Sequence, residues 1–316
     1  MQHDTSPAED AVLSVLAGTP IENVASSART SPARLAEAVA RYRAAGRAAL
    51  DVQSDGWQQV NIQFTDYLTA ERVFRAYLLP SLSTEPVGKW WFVRKYPCWR
   101  LRVRPAAGAT LDETIAHITE AIDNAVSWGV AKDWRTIPYA PETIAFGGPA
   151  GMSIAHDLFH ADSVGVLNYL HLAADDCEEM LDSKATSFLV TALMLRAAGL
   201  EWGEQGDVWG QIEARRPLPD DVDPEQVRGM VQALRRLLMT DAGPALTDGP
   251  LAPLREWVTE VKTSGQALAD AALDGQLQLG LRGILARHVV FHWNRMGFST
   301  RQQAIWARAA RKAVLG

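Results

Sequence analysis

Cysteine is scarce: Cys98 and Cys177 are the only two thiols in 316 residues. Two thiols build neither a disulfide framework nor a four-cysteine zinc site. Long apolar runs are also lacking. The longest, such as FLVTALML at 188–195, fall far short of the roughly 20 residues that span a bilayer. The opening MQHDTSPAED has no positive region followed by an apolar stretch, so it does not read as a signal peptide. These absences point to a cytoplasmic location without membrane contact. Positive charge is in deficit, with 31 Lys and Arg against 37 Asp and Glu and a net charge of −6. That argues against a broadly basic surface for coating nucleic acid. Hydrophobic residues make up 47% and charged ones 22%, ordinary for a globular chain, and the length suits one large domain plus a small one. Tryptophan, by contrast, is abundant at 11 copies. It serves as core filling or as a stacking surface for a peptide or heteroaromatic substrate.

Residues 1–55 read as a small helical module of three short helices. Ser6-Pro7-Ala8-Glu9 and Ser31-Pro32 are helix starts. The arrangement is similar to a helix-turn-helix, yet these residues hold five Arg and no Lys against seven Asp and Glu. A DNA reader needs phosphate-neutralising charge, so direct DNA binding is not expected and docking of a partner or peptide is. Residues 56–316 form the second domain. Trp57, Val60, Ile62 and Phe64 suggest a strand with a slipped alternation, and 68–80 return to helical spacing. KWWFVRK at 89–95 is apolar on both faces and predicts a central strand. CWRLRVR at 98–104 alternates strictly, and 110–128 predict an amphipathic helix. From Gly147 onward the pattern is helical, over 150–173, 184–199, 204–214, 224–240, 253–272, 277–295 and 299–313, with loops at 217–226 and 240–250. The fold class is therefore α+β: a helical N-terminal module, a mostly antiparallel sheet with helices, and a largely helical C-terminal half.

Four segments carry groups capable of chemistry. In CWRLRVR, alternation puts Arg100, Arg102 and Arg104 on one face, and Arg94 on the preceding strand is expected alongside. Clustered guanidiniums suit carboxylates, which arginine binds bidentately. In YAPETIAFGGPAGMS, Glu142 precedes Gly147 and Gly148, which permit positive φ and close approach of a ligand to the backbone. The helix behind them offers free N–H groups to an oxyanion. In MSIAHDLFHADS, His156 and His160 are four apart on one helix. The spacing is that of two zinc ligands, but the sequence places no third one, and no metal is expected. In LRGILARHVVFHWNRMG, the residues His288, His292 and Arg295 interrupt an otherwise apolar stripe. Polar groups there need partners or a function, and histidine exchanges protons near neutral pH.

Taken in order from about residue 56, several features resemble the thiopeptide-type bacteriocin biosynthesis family. These are WWFVRK then WRLRVR, Tyr-x-Pro-Glu followed by Phe-Gly-Gly, the LFHADS helix and the closing His-x-Asn-Arg-Met-Gly. That family includes the glutamate-elimination domain of class I lanthipeptide dehydratases and the pyridine synthases of thiopeptide pathways. The resemblance implies a lyase that removes glutamate from glutamylated Ser or Thr of a ribosomal precursor peptide. It would work with a separate glutamylating dehydratase subunit and without a redox or metal cofactor. Aza-[4+2] cycloaddition is the alternative, and non-catalytic binding of the precursor is a third. Whether the chain forms a homodimer stays open. By the same resemblance Arg102, Glu142 and His292 are the catalytic residues. Arg94, Arg100, Arg104, Gly147, Gly148, His156 and Arg295 are expected to bind substrate. The chain departs from the family's Glu–x–x–Arg at Ala145, where the guanidinium is missing.

Overall fold

The computed structural model describes residues 7–50, 56–174, 180–249 and 251–316; Ser6 and Cys177 lie outside them. By its contacts the chain divides into two units, 1–55 and 56–316. The first holds helices α1 (Pro7–Leu16), α2 (Ile21–Ser27) and α3 (Pro32–Leu50). Val12, Val24, Leu35 and Val39 form its small core.

The second unit begins with four antiparallel strands: β1 (Gln58–Phe64), β2 (Val87–Lys95), β3 (Cys98–Pro105) and β4 (Ala131–Ile137). Their order across the sheet is β2-β3-β1-β4. Between β1 and β2 the chain runs through α4 (Ala70–Val73), a π turn (Phe74–Leu78) and α5 (Leu79–Leu82). Helix α6 (Leu111–Ser127) joins β3 to β4. Its start is fixed by a capping box in which Thr110 Oγ1 accepts from the Glu113 N–H while Glu113 accepts from the Thr110 N–H. One sheet face buries Ile62, Phe92, Trp99 and Leu101 against Phe74, Ile118 and Ile122. Phe92 and Trp99 stack at 4.7 Å on that face.

Beyond the sheet the chain is helical: α7 (Pro149–Ala174), α8 (Ser183–Ala197), α9 (Trp202–Arg215), α10 (Pro224–Met239), α11 (Gly243–Thr247), α12 (Arg255–Leu273), α13 (Leu281–Met296) and α14 (Thr300–Leu315). The fold is α+β; along the chain the strands follow the N-terminal helices and precede a helical C-terminal half. Short α11 lies inside the segment expected to be loop.

Two strand expectations need correction. β2 is an edge strand, not a central one. It reads as apolar on both faces because Trp90 and Phe92 enter one core and Trp91 another. Its outward backbone groups are taken up by side chains of the helical half. Phe92 N–H donates to Ser163 Oγ at 3.2 Å, Arg295 Nε donates to the Phe92 carbonyl at 3.1 Å, and His160 Nδ1 donates to the Trp90 carbonyl at 2.8 Å. An unpaired edge is costly when buried, and these three side chains replace the missing neighbour. The second correction is β4, which pattern reading passes over. Lys132, Asp133, Arg135 and Thr136 are all exposed, so the strand shows no apolar alternation.

Candidate functional site

The cross-strand register decides which side chains share a face. Arg102 lies opposite Trp91 on β2 and Gln59 on β1. Arg100 lies opposite Val93 and Asn61. This face, away from α6, looks onto α7 and α13 and onto the loop after β4. A cavity of about 160 Å³ opens there, with Trp91, Arg102, Tyr139, Glu142, Phe159 and Phe291 among its walls. Lys95, Arg100 and Asn294 also border it.

Arg102 is buried, at 7% exposure. Its guanidinium stacks 4.2 Å over the Trp91 ring and 5.7 Å from the Tyr139 ring. Its Nε donates to Gln59 Oε1 at 2.9 Å and its Nη1 to the Arg100 carbonyl at 3.1 Å. No acceptor among the described residues takes the Nη2 protons, and no carboxylate pairs with the group. Burial, set against the nearby Tyr139 and reinforced by Arg100 and Arg295, pulls its pKa down to about 9. A guanidinium held on one side and open on the other is a ready receptor for a carboxylate.

Tyr139 leads out of β4, and its hydroxyl is hydrogen-bonded to His156 Nε2 at 2.9 Å. Trp57 covers the His156 ring at 4.7 Å. His156 thus stands behind the cavity wall, joined to it through Tyr139. Glu142 sits at the rim and accepts from Arg287 Nη1 of α13 at 3.1 Å. The rim therefore has a guanidinium beside Glu142, supplied by α13. The short turn Thr143–Phe146 then packs on α7 so closely that a Cβ on Gly151 would lie 1.9 Å from the Phe146 carbonyl oxygen. Only glycine permits that approach.

Several expected site residues lie elsewhere. Arg94 pairs directly with Trp99, which puts it on the opposite face of the sheet, 4.6 Å over the Trp99 ring. Burial lowers its pKa to about 10. Arg104 shares the Arg102 face but is exposed and lies outside the cavity. Gly147 and Gly148 do have positive φ, at 92° and 91°. Their close neighbours are Ile284 and Gln278, so the tight approach is made by protein and not by a ligand.

His292 and Arg295 face away from the cavity. Successive helix residues are rotated by about 100°. On α13, Arg287, Phe291 and Asn294 turn toward the cavity and its rim, while His288, His292 and Arg295 turn into the helical core. There Asp162 accepts from His292 Nδ1 at 2.9 Å, from Arg295 Nη1 at 2.7 Å and from Trp257 Nε1 at 3.2 Å. His292 Nε2 is 2.8 Å from Ser187 Oγ. Serine, histidine and aspartate in this sequence have the connectivity of a nucleophilic triad. Ser187 is fully buried, however, and the adjoining void is only about 20 Å³. The network holds β2, α7, α8, α12 and α13 together and does not meet solvent. Burial alone would raise the Asp162 pKa, but His292 and Arg295 hold it down at about 2. His288 lines the same void, touches Phe146 and Phe159, and is pushed down by burial to about 3.

His156 and His160 diverge likewise, one to Tyr139 and one to the β2 edge. Among the described residues no group of three His, Cys, Asp or Glu could hold a metal, and no helix is long and apolar enough to cross a membrane. A larger cleft, about 990 Å³, lies between α9, α13 and α14. Both of its arginines are taken up by carboxylates, Arg282 by Asp207 and Arg311 by Glu213, so it offers less chemistry than the smaller cavity. The residues that sequence reading missed are Gln59, Trp91, Lys95, Tyr139 and Arg287. Strand register brings in the first three, and the fold of the loop and of α13 brings in the others.

The fold, a sheet docked edge-on to a helical half, is shared with solved structures. Pyridine synthase TbtD from thiomuracin biosynthesis shares it at TM-score 0.59 and 14% identity, over 82% of this chain and 98% of that one. The tRNA-dependent lantibiotic dehydratase MibB from Microbispora sp. 107891 does so at TM-score 0.58 and 18% identity, over 83% of this chain. The chain spans 28% of the length of MibB. TsrL matches at TM-score 0.52 and 16% identity, over 81% of this chain and 94% of that one. No curated protein sequence matches the chain. Residues 57–314 match the family described as lantibiotic biosynthesis dehydratase, C-terminal, and the chain belongs to that family.

Proposed function

We propose that this chain eliminates glutamate from glutamylated Ser or Thr of a ribosomal precursor peptide, leaving dehydroalanine or dehydrobutyrine. A separate glutamylating dehydratase subunit would supply the substrate. The observation that carries the reading is Arg102: a buried guanidinium, unpaired by any carboxylate among the described residues, with donors left over at a cavity the size of one side chain.

Elimination removes the Cα proton, forms the Cα=Cβ bond, breaks Cβ–O and releases glutamate as a carboxylate. Arg102 receives that carboxylate. Its donors are preorganised by Gln59 and the Arg100 carbonyl, and the low-dielectric aromatic walls strengthen the interaction as charge develops. Tyr139 takes the proton and passes its own to His156 Nε2, with which it already shares a hydrogen bond. Glu142, paired with Arg287, serves to hold the rim. His292 has no role at the reacting atoms.

Pyridine formation is the second reading. It is favoured by the aromatic lining, in which Trp91, Tyr139, Phe146, Phe159 and Phe291 all face the cavity. The small volume favours elimination. Incubating the purified chain with a glutamylated peptide, and separately with a dehydrated azole peptide, and weighing the products separates the two. Loss of glutamic acid from the first substrate is expected. An unchanged glutamyl peptide would overturn the proposal.

A further inference from the structure

The sheet face that floors the cavity continues beyond it, and its charge is one-sided. On strands β1–β4 the residues sharing the Arg102 face include Lys95, Arg100, Arg104 and Arg135, and none of these four has an ion-pair partner among the described residues. Asp133 is the carboxylate on the same strand face, and no ion pair ties it to them. The whole chain has more acids than bases, 37 to 31, so a face on which these four cations outnumber Asp133 runs against its composition.

Register orders these cations. Val93, Arg100, Asn61 and Arg135 form one row across all four strands, directly beside the Trp91, Arg102, Gln59 and Ile137 row at the cavity. Lys95 flanks its β2 end and borders the cavity with Arg100. Asn61, at the centre, uses its Oδ1 to accept from Gln59 Nε2 at 2.9 Å, and no acceptor among the described residues takes its amide protons. Gln59 in turn accepts from Arg102. The row thus sets the buried Asn61 amide between two guanidiniums and is wired by hydrogen bonds to the cavity. Arg100 and Arg135 are two strand spacings apart, about 10 Å, close to one three-residue turn of polyproline-II chain, which returns side chains to the same face.

We infer that this row is the binding track for an acidic peptide segment. It rests on the reading of the cavity as a peptide-substrate site. The segment leaves the cavity past Arg100, crosses β1 over Asn61 and reaches Arg135 at the free edge of β4. Its side chains carry carboxylates about three residues apart, within about four residues of the one that enters the cavity. The substrate class is an anionic stretch of peptide next to the reacting residue.

The test uses the full chain and three fluorescein-labelled octapeptides. Each contains one serine and, three residues apart, two Glu, two Gln or two Lys. Fluorescence anisotropy at low and high salt reads the affinity. The Glu peptide should bind most tightly and weaken as salt screens the charges. Arg135→Gln should raise its Kd about threefold, the scale of one exposed ion pair. R135E should raise it about tenfold and improve binding of the Lys peptide. Lys262→Gln, on the outer side of α12, should change nothing. Arg135 is exposed, so these variants are expected to fold, and matching melting curves check it. Equal binding of the Glu and Gln peptides, or R135E binding as wild type does, overturns the track. The outcome is independent of turnover: acid preference without glutamate release sinks the elimination reading alone, and release without acid preference sinks the track alone.

Discussion

Asp162→Ala removes the anion at the centre of the buried network, and the size of the loss follows from what it touches. Asp162 is 3% exposed and accepts three hydrogen bonds, from His292, Arg295 and Trp257. Arg295 is 1% exposed and has no other carboxylate among the described residues. Deleting Asp162 strands that guanidinium, and breaking a buried pair from one side costs about 3–5 kcal/mol. The electrostatics point to a similar scale. A carboxyl held at about 2 instead of its ordinary 3.8 contributes roughly 2 kcal/mol. That stability is fully present above pH 3.8 and is lost as pH falls toward 2. Urea denaturation at pH 7 measures the variant, with the midpoint and slope fitted separately. The double variant Asp162→Leu with Arg295→Met removes both charges and should recover at least half of the loss. A single variant within about 1 kcal/mol of wild type, or a double variant no better than the single, would refute the network's role.

His288 makes a pH-dependent prediction of the same sign. Its pKa is depressed from 6.5 to about 3, so the unfolded chain binds its proton first. The associated stability is complete above pH 6.5 and is lost progressively as pH falls toward 3. Between pH 7 and pH 5 this amounts to about 2 kcal/mol. H288L should lose less than wild type over that interval in urea titrations, and equal losses would contradict the assignment. Arg287→Ala frees Glu142 at the rim. It should raise KM for a glutamylated peptide several-fold with little change in melting temperature, since both groups are partly exposed. An unchanged KM would remove Arg287 from the site.

The parts of the fold carried by side-chain period were open to sequence reading. CWRLRVR alternates, the helices after Gly147 keep their stripes, and Asp223 caps α10 as the Asp-Pro pair implies. The face of Arg94 was legible as well: a two-residue turn at Tyr96-Pro97 sets Lys95 against Cys98, and then Arg94 must oppose Trp99. β4 was not legible, because an edge strand with exposed Lys132, Asp133 and Arg135 lacks the apolar alternation that marks a strand. The polar stripe of α13 was rightly placed as buried. Which neighbour it meets depends on tertiary packing, and a rotation of one residue sends Phe291 to the cavity and His292 to Asp162. Tyr139 entered only as part of Tyr-x-Pro-Glu and Gln59 carried no local signal, since their roles come from contacts with His156 and Arg102 far along the chain.

The central claim is that Arg102 receives the departing glutamate, and single-turnover release of glutamate from a glutamylated peptide tests it most directly. With wild type, Arg102→Lys and Arg102→Met compared under conditions where all three remain folded, the methionine variant should release glutamate about 100-fold more slowly or worse. The lysine variant should fall between, because it keeps the charge and loses the fork. Release by the methionine variant at the wild-type rate would contradict the account.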